Sequence, residues 1–89
     1  MLEDLRGWVT QLIDRYTLDL RTIPPCWDRH NAIVEALAAL RDCERGCYDL
    51  DATPSSGIDW LRALSDVTAY LREQTARTGC AATEHRRDR

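Results

Sequence analysis

Lysine and phenylalanine are absent from this chain, so all 12 of its basic residues are arginine and its aromatics are three Trp and three Tyr. The arginine bias points to a GC-rich coding sequence rather than to a mechanism. Long apolar runs are absent too. No stretch approaches the ~18 consecutive apolar residues that span a bilayer. The segment Met1 to Ile13 carries Glu3, Asp4 and Arg6 in an amphipathic pattern, unlike the continuous apolar core of a cleavable signal peptide. No run alternates apolar and polar residues long enough to predict a sheet. No Gly-rich phosphate loop appears and no Ser or Cys nucleophile sits in a recognisable setting, so the chain does not read as an enzyme. A net charge of −3 argues against the clustered cationic surface that drives binding to phosphate backbones. The basic end His85-Arg86-Arg87-Asp88-Arg89 reads as a solvated terminus. Together these features predict a cytoplasmic protein, in a reducing compartment where its four cysteines bind metal, pack as small apolar groups or do redox work rather than form disulfides.

The length of 89 residues bounds the chain to one domain, expected over residues 1–85 with a disordered basic tail at 86–89. A domain of this size buries roughly 60 to 65% of the surface of its unfolded chain, so its hydrophobic margin is thin. A metal, a disulfide or a partner chain often supplies the missing stability.

Three amphipathic helices are predicted. In the first, Leu2, Leu5, Trp8 or Val9, Leu12, Ile13 and Tyr16 recur at helical spacing. Gly7 within it reads as a close approach to a neighbouring element. Asp19 to Pro25 is a connection, because Pro24 and Pro25 cannot continue a helix. The second helix starts near Pro25 or after His30 and runs to about Tyr48, with Ile33, Val34, Leu37, Ala38, Leu40 and Cys47 as its stripe. The turn formers from Asp49 to Gly57 make a loop. The third helix runs from about Ile58 to Ala76 on Trp60, Leu61, Leu64, Val67, Thr68 and Leu71, with Gly79 as its stop signal. The expected fold is all-α, a small three-helix bundle in up-down-up order. The Trp and Tyr residues read first as core packing.

Two pairs of metal-capable residues stand out. Cys26 and His30 are four apart and would share one face of a helix, while Cys80 and His85 follow the Gly79 break. Together they supply the two thiolates and two imidazoles that a tetrahedral structural zinc prefers. Antiparallel packing of the second and third helices would bring the two pairs together, and with no open coordination position such a site is structural rather than catalytic. Cys43 and Cys47, also four apart, are possible substitute ligands, and four cysteines leave an iron–sulfur cluster as an alternative. The bland alternative is that Cys26 and Cys80 are ordinary packed thiols, His30 and His85 solvated helix and tail residues, and Cys43 and Cys47 buried residues on or beside the apolar stripe.

The stretch from Thr22 through Pro24-Pro25-Cys26-Trp27-Asp28-Arg29-His30 into the Ala- and Leu-rich helix at Ile33–Leu40 resembles a family of uncharacterised actinobacterial proteins found on plasmids, integrative elements and phages. Its signature is Pro-Pro-Cys-Trp-x-x-His. The resemblance extends to the preceding Trp-bearing helix, to Asp59-Trp60 and to the Cys- and His-bearing end. It implies a mobile-element or phage origin and carries no known activity.

Two functions remain in view. One is a zinc-stabilised helical adaptor that binds a protein partner through an apolar patch containing Trp8, Trp27 or Trp60, with homodimerisation a further use of such a face. The other is a DNA-binding regulator whose third helix, with Arg62, Arg72 and Arg77, reads the major groove. Connections longer than a helix-turn-helix turn, and the acidic residues among those arginines, weigh against it.

Overall fold

The computed structural model describes residues 2–78. Among them the chain is all-α, with α1 at Leu2–Tyr16, a 3-10 turn at Trp27–Arg29, α2 at Asn31–Cys47 and α3 at Ser56–Thr78. No helix is long and apolar enough to cross a membrane among these residues. The core gathers Leu5, Val9 and Leu12 of α1, Ile33, Leu37 and Leu40 of α2, and Trp60, Leu64 and Leu71 of α3, with Ile23 and Trp27 from the segment between α1 and α2.

The end of α1 is fixed by a left-handed residue. Thr17 has a φ of 52°, and the Leu18 amide donates back to the Ile13 carbonyl at 3.1 Å. This is the long reverse bond of a Schellman motif, and it satisfies a carbonyl the helix leaves open. The apolar partners expected of that motif are present, since Ile13 and Leu18 both pack against the core.

Helix order departs from the up-down-up expectation. Arg6 near the start of α1 bonds Asp28 just ahead of α2 at 2.7 Å, whereas Arg15 near its end bonds Glu44 near the end of α2 at 3.2 Å. Thus α1 and α2 run in the same general direction, and the segment from Thr17 to Cys26 carries the chain back along the bundle. It can do so because it is built into the core: Thr22, Ile23 and Pro24 are buried. The α2–α3 pair is antiparallel, as expected, with the Thr75 hydroxyl donating to the Thr22 carbonyl at 3.3 Å.

Smaller departures have local causes. Helix α2 begins only after His30, because Pro24 accepts from the Trp27 amide in a tight turn and Cys26 from the Arg29 amide, which winds the intervening residues as 3-10. Helix α3 starts two residues early, since the Ser55 carbonyl already accepts from both Ile58 and Asp59. An added Cβ at Gly7 would meet nothing within 4 Å, so that glycine marks no close approach. Leu61, placed on the buried stripe by its spacing, is 55% exposed. The stripe instead continues through Leu64 and Leu71 to Thr75.

Candidate metal half-site and the corner that holds it

The 3-10 turn delivers what an α-helix was expected to deliver. Cys26 Sγ and His30 Nε2 lie 3.5 Å apart, although Cys26 precedes the turn and His30 caps α2 from an extended conformation. Ideal tetrahedral zinc, with metal–sulfur and metal–nitrogen bonds of about 2.3 and 2.0–2.1 Å, holds such a pair roughly 3.5 to 3.6 Å apart. The same separation suits a thiol–imidazole hydrogen bond. His30 is only 2% exposed, so its imidazole is held in place by packing rather than free to swing in solvent.

A polar network ties this corner to α3. The Asp19 carboxylate accepts from both the amide and the hydroxyl of Thr22, at 3.0 and 2.9 Å. The Thr22 hydroxyl in turn accepts from Arg72 Nε at 2.9 Å. Thr22 is fully buried, so each of these bonds satisfies a group that would otherwise be costly. The Thr22 hydroxyl, reinforced by its amide and by the Arg72 charge, holds the Asp19 carboxyl below its ordinary value. The Asp-x-x-Thr spacing was the available sequence signal for this turn. Its bond to Arg72, fifty positions away, had none.

The remaining expected ligands fall into two groups. Cys80 and His85 lie outside the described residues. Cys43 and Cys47 sit at the far end of unbroken α2, about 20 and 25 Å of helix axis from His30 at about 1.5 Å per residue. They cannot complete a site built on Cys26 and His30, and for the same reason the four cysteines cannot gather around one iron–sulfur cluster. Cys43 and Cys47 lie beside each other, Sγ to Sγ 4.0 Å. Among the described residues no group of three or more His, Cys, Asp and Glu side chains converges as a metal site.

The tryptophans pack in or against the core, as first read, and do not form the surface patch that the adaptor hypothesis invoked. Trp27 and Trp60 are buried, and the Trp60 indole donates to the Tyr16 hydroxyl at 3.0 Å. Trp8 is partly buried and donates to Glu44 at 2.9 Å. Of the exposed large apolar side chains, Tyr48, Leu50, Ile58 and Leu61 flank the α2–α3 connection, with Leu50 wholly in solvent, while Leu20 and Tyr70 lie elsewhere. Beside Tyr48, a shallow open groove is lined by Arg15, Tyr16, Glu44, Arg45 and Asp49. Along residues 42–59, Asp42, Asp49, Asp51 and Asp59 outnumber Arg45, while Glu44 is paired with Arg15 and Trp8, so the hairpin stretch is acidic in sequence.

No family model, curated protein or solved structure matches this chain.

Proposed function

We propose that the chain is a small zinc-stapled helical module that binds a protein partner through its α2–α3 hairpin, and that it is not an enzyme. The observation that carries the staple is the 3.5 Å approach of Cys26 to buried His30 at the end of the bundle where α3 finishes. The donor chemistry fits zinc: one soft thiolate and one imidazole at a tetrahedral spacing. Thr75 of α3 is bonded to Thr22, and Cys80 follows Thr78 by two positions in sequence, so the chain leaves α3 near this corner. Cys80 and His85 would complete the ligand set. Zinc bound there would supply cross-linking, and its binding energy at a site absent from the unfolded chain would count toward folding, on the order of 10 kcal/mol in small zinc peptides.

The partner surface follows from the hairpin. Solvent-facing Tyr48, Leu50, Ile58 and Leu61, in a stretch where Asp42, Asp49, Asp51 and Asp59 outnumber Arg45, suit an apolar pocket edged by Lys or Arg on another protein. The same acidic stretch opposes phosphate backbones and disfavours a second copy of this chain docking through the same hairpin. The DNA-regulator reading loses support from two of its three arginines, since Arg72 is engaged by Thr22 and Arg77 by Glu73 at 2.9 Å. The resemblance of the Pro-Pro-Cys-Trp-x-x-His stretch to mobile-element and phage proteins would place such an adaptor on a plasmid or phage, without itself implying the role.

The decisive test is metal content by elemental analysis of tag-free protein purified without chelator, with Cys26→Ala and His85→Ala alongside. The expected result is near one zinc per chain, lost in both variants together with a fall in Tm. Wild-type protein without zinc would remove the staple from the proposal. Iron with visible colour would replace it by a redox reading.

A further inference from the structure

Cys43 and Cys47 have no part in the proposed zinc site, yet they are the closest sulfur pair among the described residues. They occupy one face of the last turn of α2, Sγ to Sγ 4.0 Å. Both are half-buried, with one side packed against the core. That packing restrains their rotamers while part of each side chain remains in solvent, so the pair is set in advance at nearly fixed spacing.

The spacing brings both sulfurs within reach of one ion. Two thiols in hydrogen-bond contact at 4.0 Å need move by only about a few tenths of an ångström to meet a trigonal or a tetrahedral ion at a metal–thiolate distance of about 2.3 Å. Donor number separates the two. No third His, Cys, Asp or Glu converges on the pair among the described residues, which leaves a four-ligand ion badly short and suits one content with two or three. Thiolate ligands favour soft ions, monovalent copper foremost among the common ones.

We propose that Cys43 and Cys47 form a two-thiolate chelate for a soft monovalent cation of the Cu(I) class, with a third position open to a small exogenous thiol. On binding, two metal–sulfur bonds form and the two S–H protons leave to solvent, with no change in oxidation state. Burial, then the neighbouring Cys43 and the charge of Asp59, push the Cys47 thiol above its ordinary value. The inference is independent of the zinc proposal, because the two sites lie at opposite ends of α2.

The test is anaerobic titration of the full chain with Cu(I) supplied as its acetonitrile complex, in competition with bicinchoninate. Wild type is compared with Cys43→Ser/Cys47→Ser and with Cys47→Ser alone. A chelate makes the second bond intramolecular, so the double variant should hold one fewer Cu(I) per chain under conditions where wild-type affinity exceeds a single thiol's by about 100-fold. The single variant should lose as much as the double. Unchanged uptake in the double variant, or half retention in the single, would overturn the chelate. X-ray absorption at the copper edge on wild type loaded with one equivalent gives an answer even if a variant fails to fold. A sulfur-only first shell is expected, and a histidine nitrogen in that shell would assign the copper to the Cys26–His30 corner instead.

Discussion

The two ends of α2 are built on opposite plans. At its start, Thr22, Ile23, Pro24 and His30 are buried, and Asp19, Thr22, Arg72 and Thr75 bond one another across fifty residues of sequence. At its finish, Tyr48, Leu50, Ile58 and Leu61 face solvent, and the bonds within the loop are short-range ones such as Leu50 to Asp49 and Thr53 to Ser55. The first end spends its polar groups on holding elements together. The second leaves apolar area uncovered, which a small domain with a thin hydrophobic margin can tolerate only if its stability comes from elsewhere. The contrast teaches that long-range polar cross-linking and solvent-facing apolar side chains are segregated along one helix.

That division can be broken most directly in the buried corner. Ile23→Ala removes a side chain that is 2% exposed and should destabilise the fold by about 2–5 kcal/mol, read by urea unfolding. A loss under about 1 kcal/mol would mean that the crossover segment is not part of the core. Thr22→Val is nearly isosteric but deletes the acceptor of Arg72 and the donor to Asp19. It should cost about 1–3 kcal/mol, again in urea.

The Asp19 interaction carries its own pH signature. Its carboxyl is lowered in the fold from an ordinary value of 3.8, so its contribution is present in full well above that pH and declines as pH falls through the lower folded value. The stability difference between wild type and Asp19→Asn should therefore be flat at neutral pH and should shrink below about 3.8. A difference unchanged at strongly acid pH would show that the carboxylate's charge is not what stabilises the turn.

At the hairpin the smallest stability effects are expected. Leu50→Asp and Ile58→Asp should each change unfolding free energy by no more than about 0.5 kcal/mol, while abolishing capture of a basic-rimmed protein partner in a binding assay. A large loss of stability in either would make the hairpin part of the folded core and erase the contrast.

Periodicity identified most of the interior. Leu5, Val9 and Leu12, then Ile33, Leu37 and Leu40, then Trp60, Leu64 and Leu71 are buried because three-and-four spacing puts them on one side of a helix whatever that helix packs against. The same rule failed at Leu61, where adjacent apolar residues in Trp60-Leu61 left the stripe's edge open to tertiary choice. The Cys26–His30 pairing was legible from its spacing, but for a different local reason: a 3-10 turn, imposed after the Pro-Pro corner, brings the two side chains together without an α-helix.

Helix existence, helix type and the candidate half-site were thus determined by sequence, since they rest on local backbone preference and on side chains no more than a turn apart. The direction of α1 relative to α2, the burial of the crossover and the exposure of Leu61 were decided by tertiary structure. Those features depend on which distant surfaces meet. A short amphipathic pattern states that one face must be covered without stating by what, and here the buried crossover at Thr22–Pro24, bonded to α3 fifty residues away, supplied part of the answer.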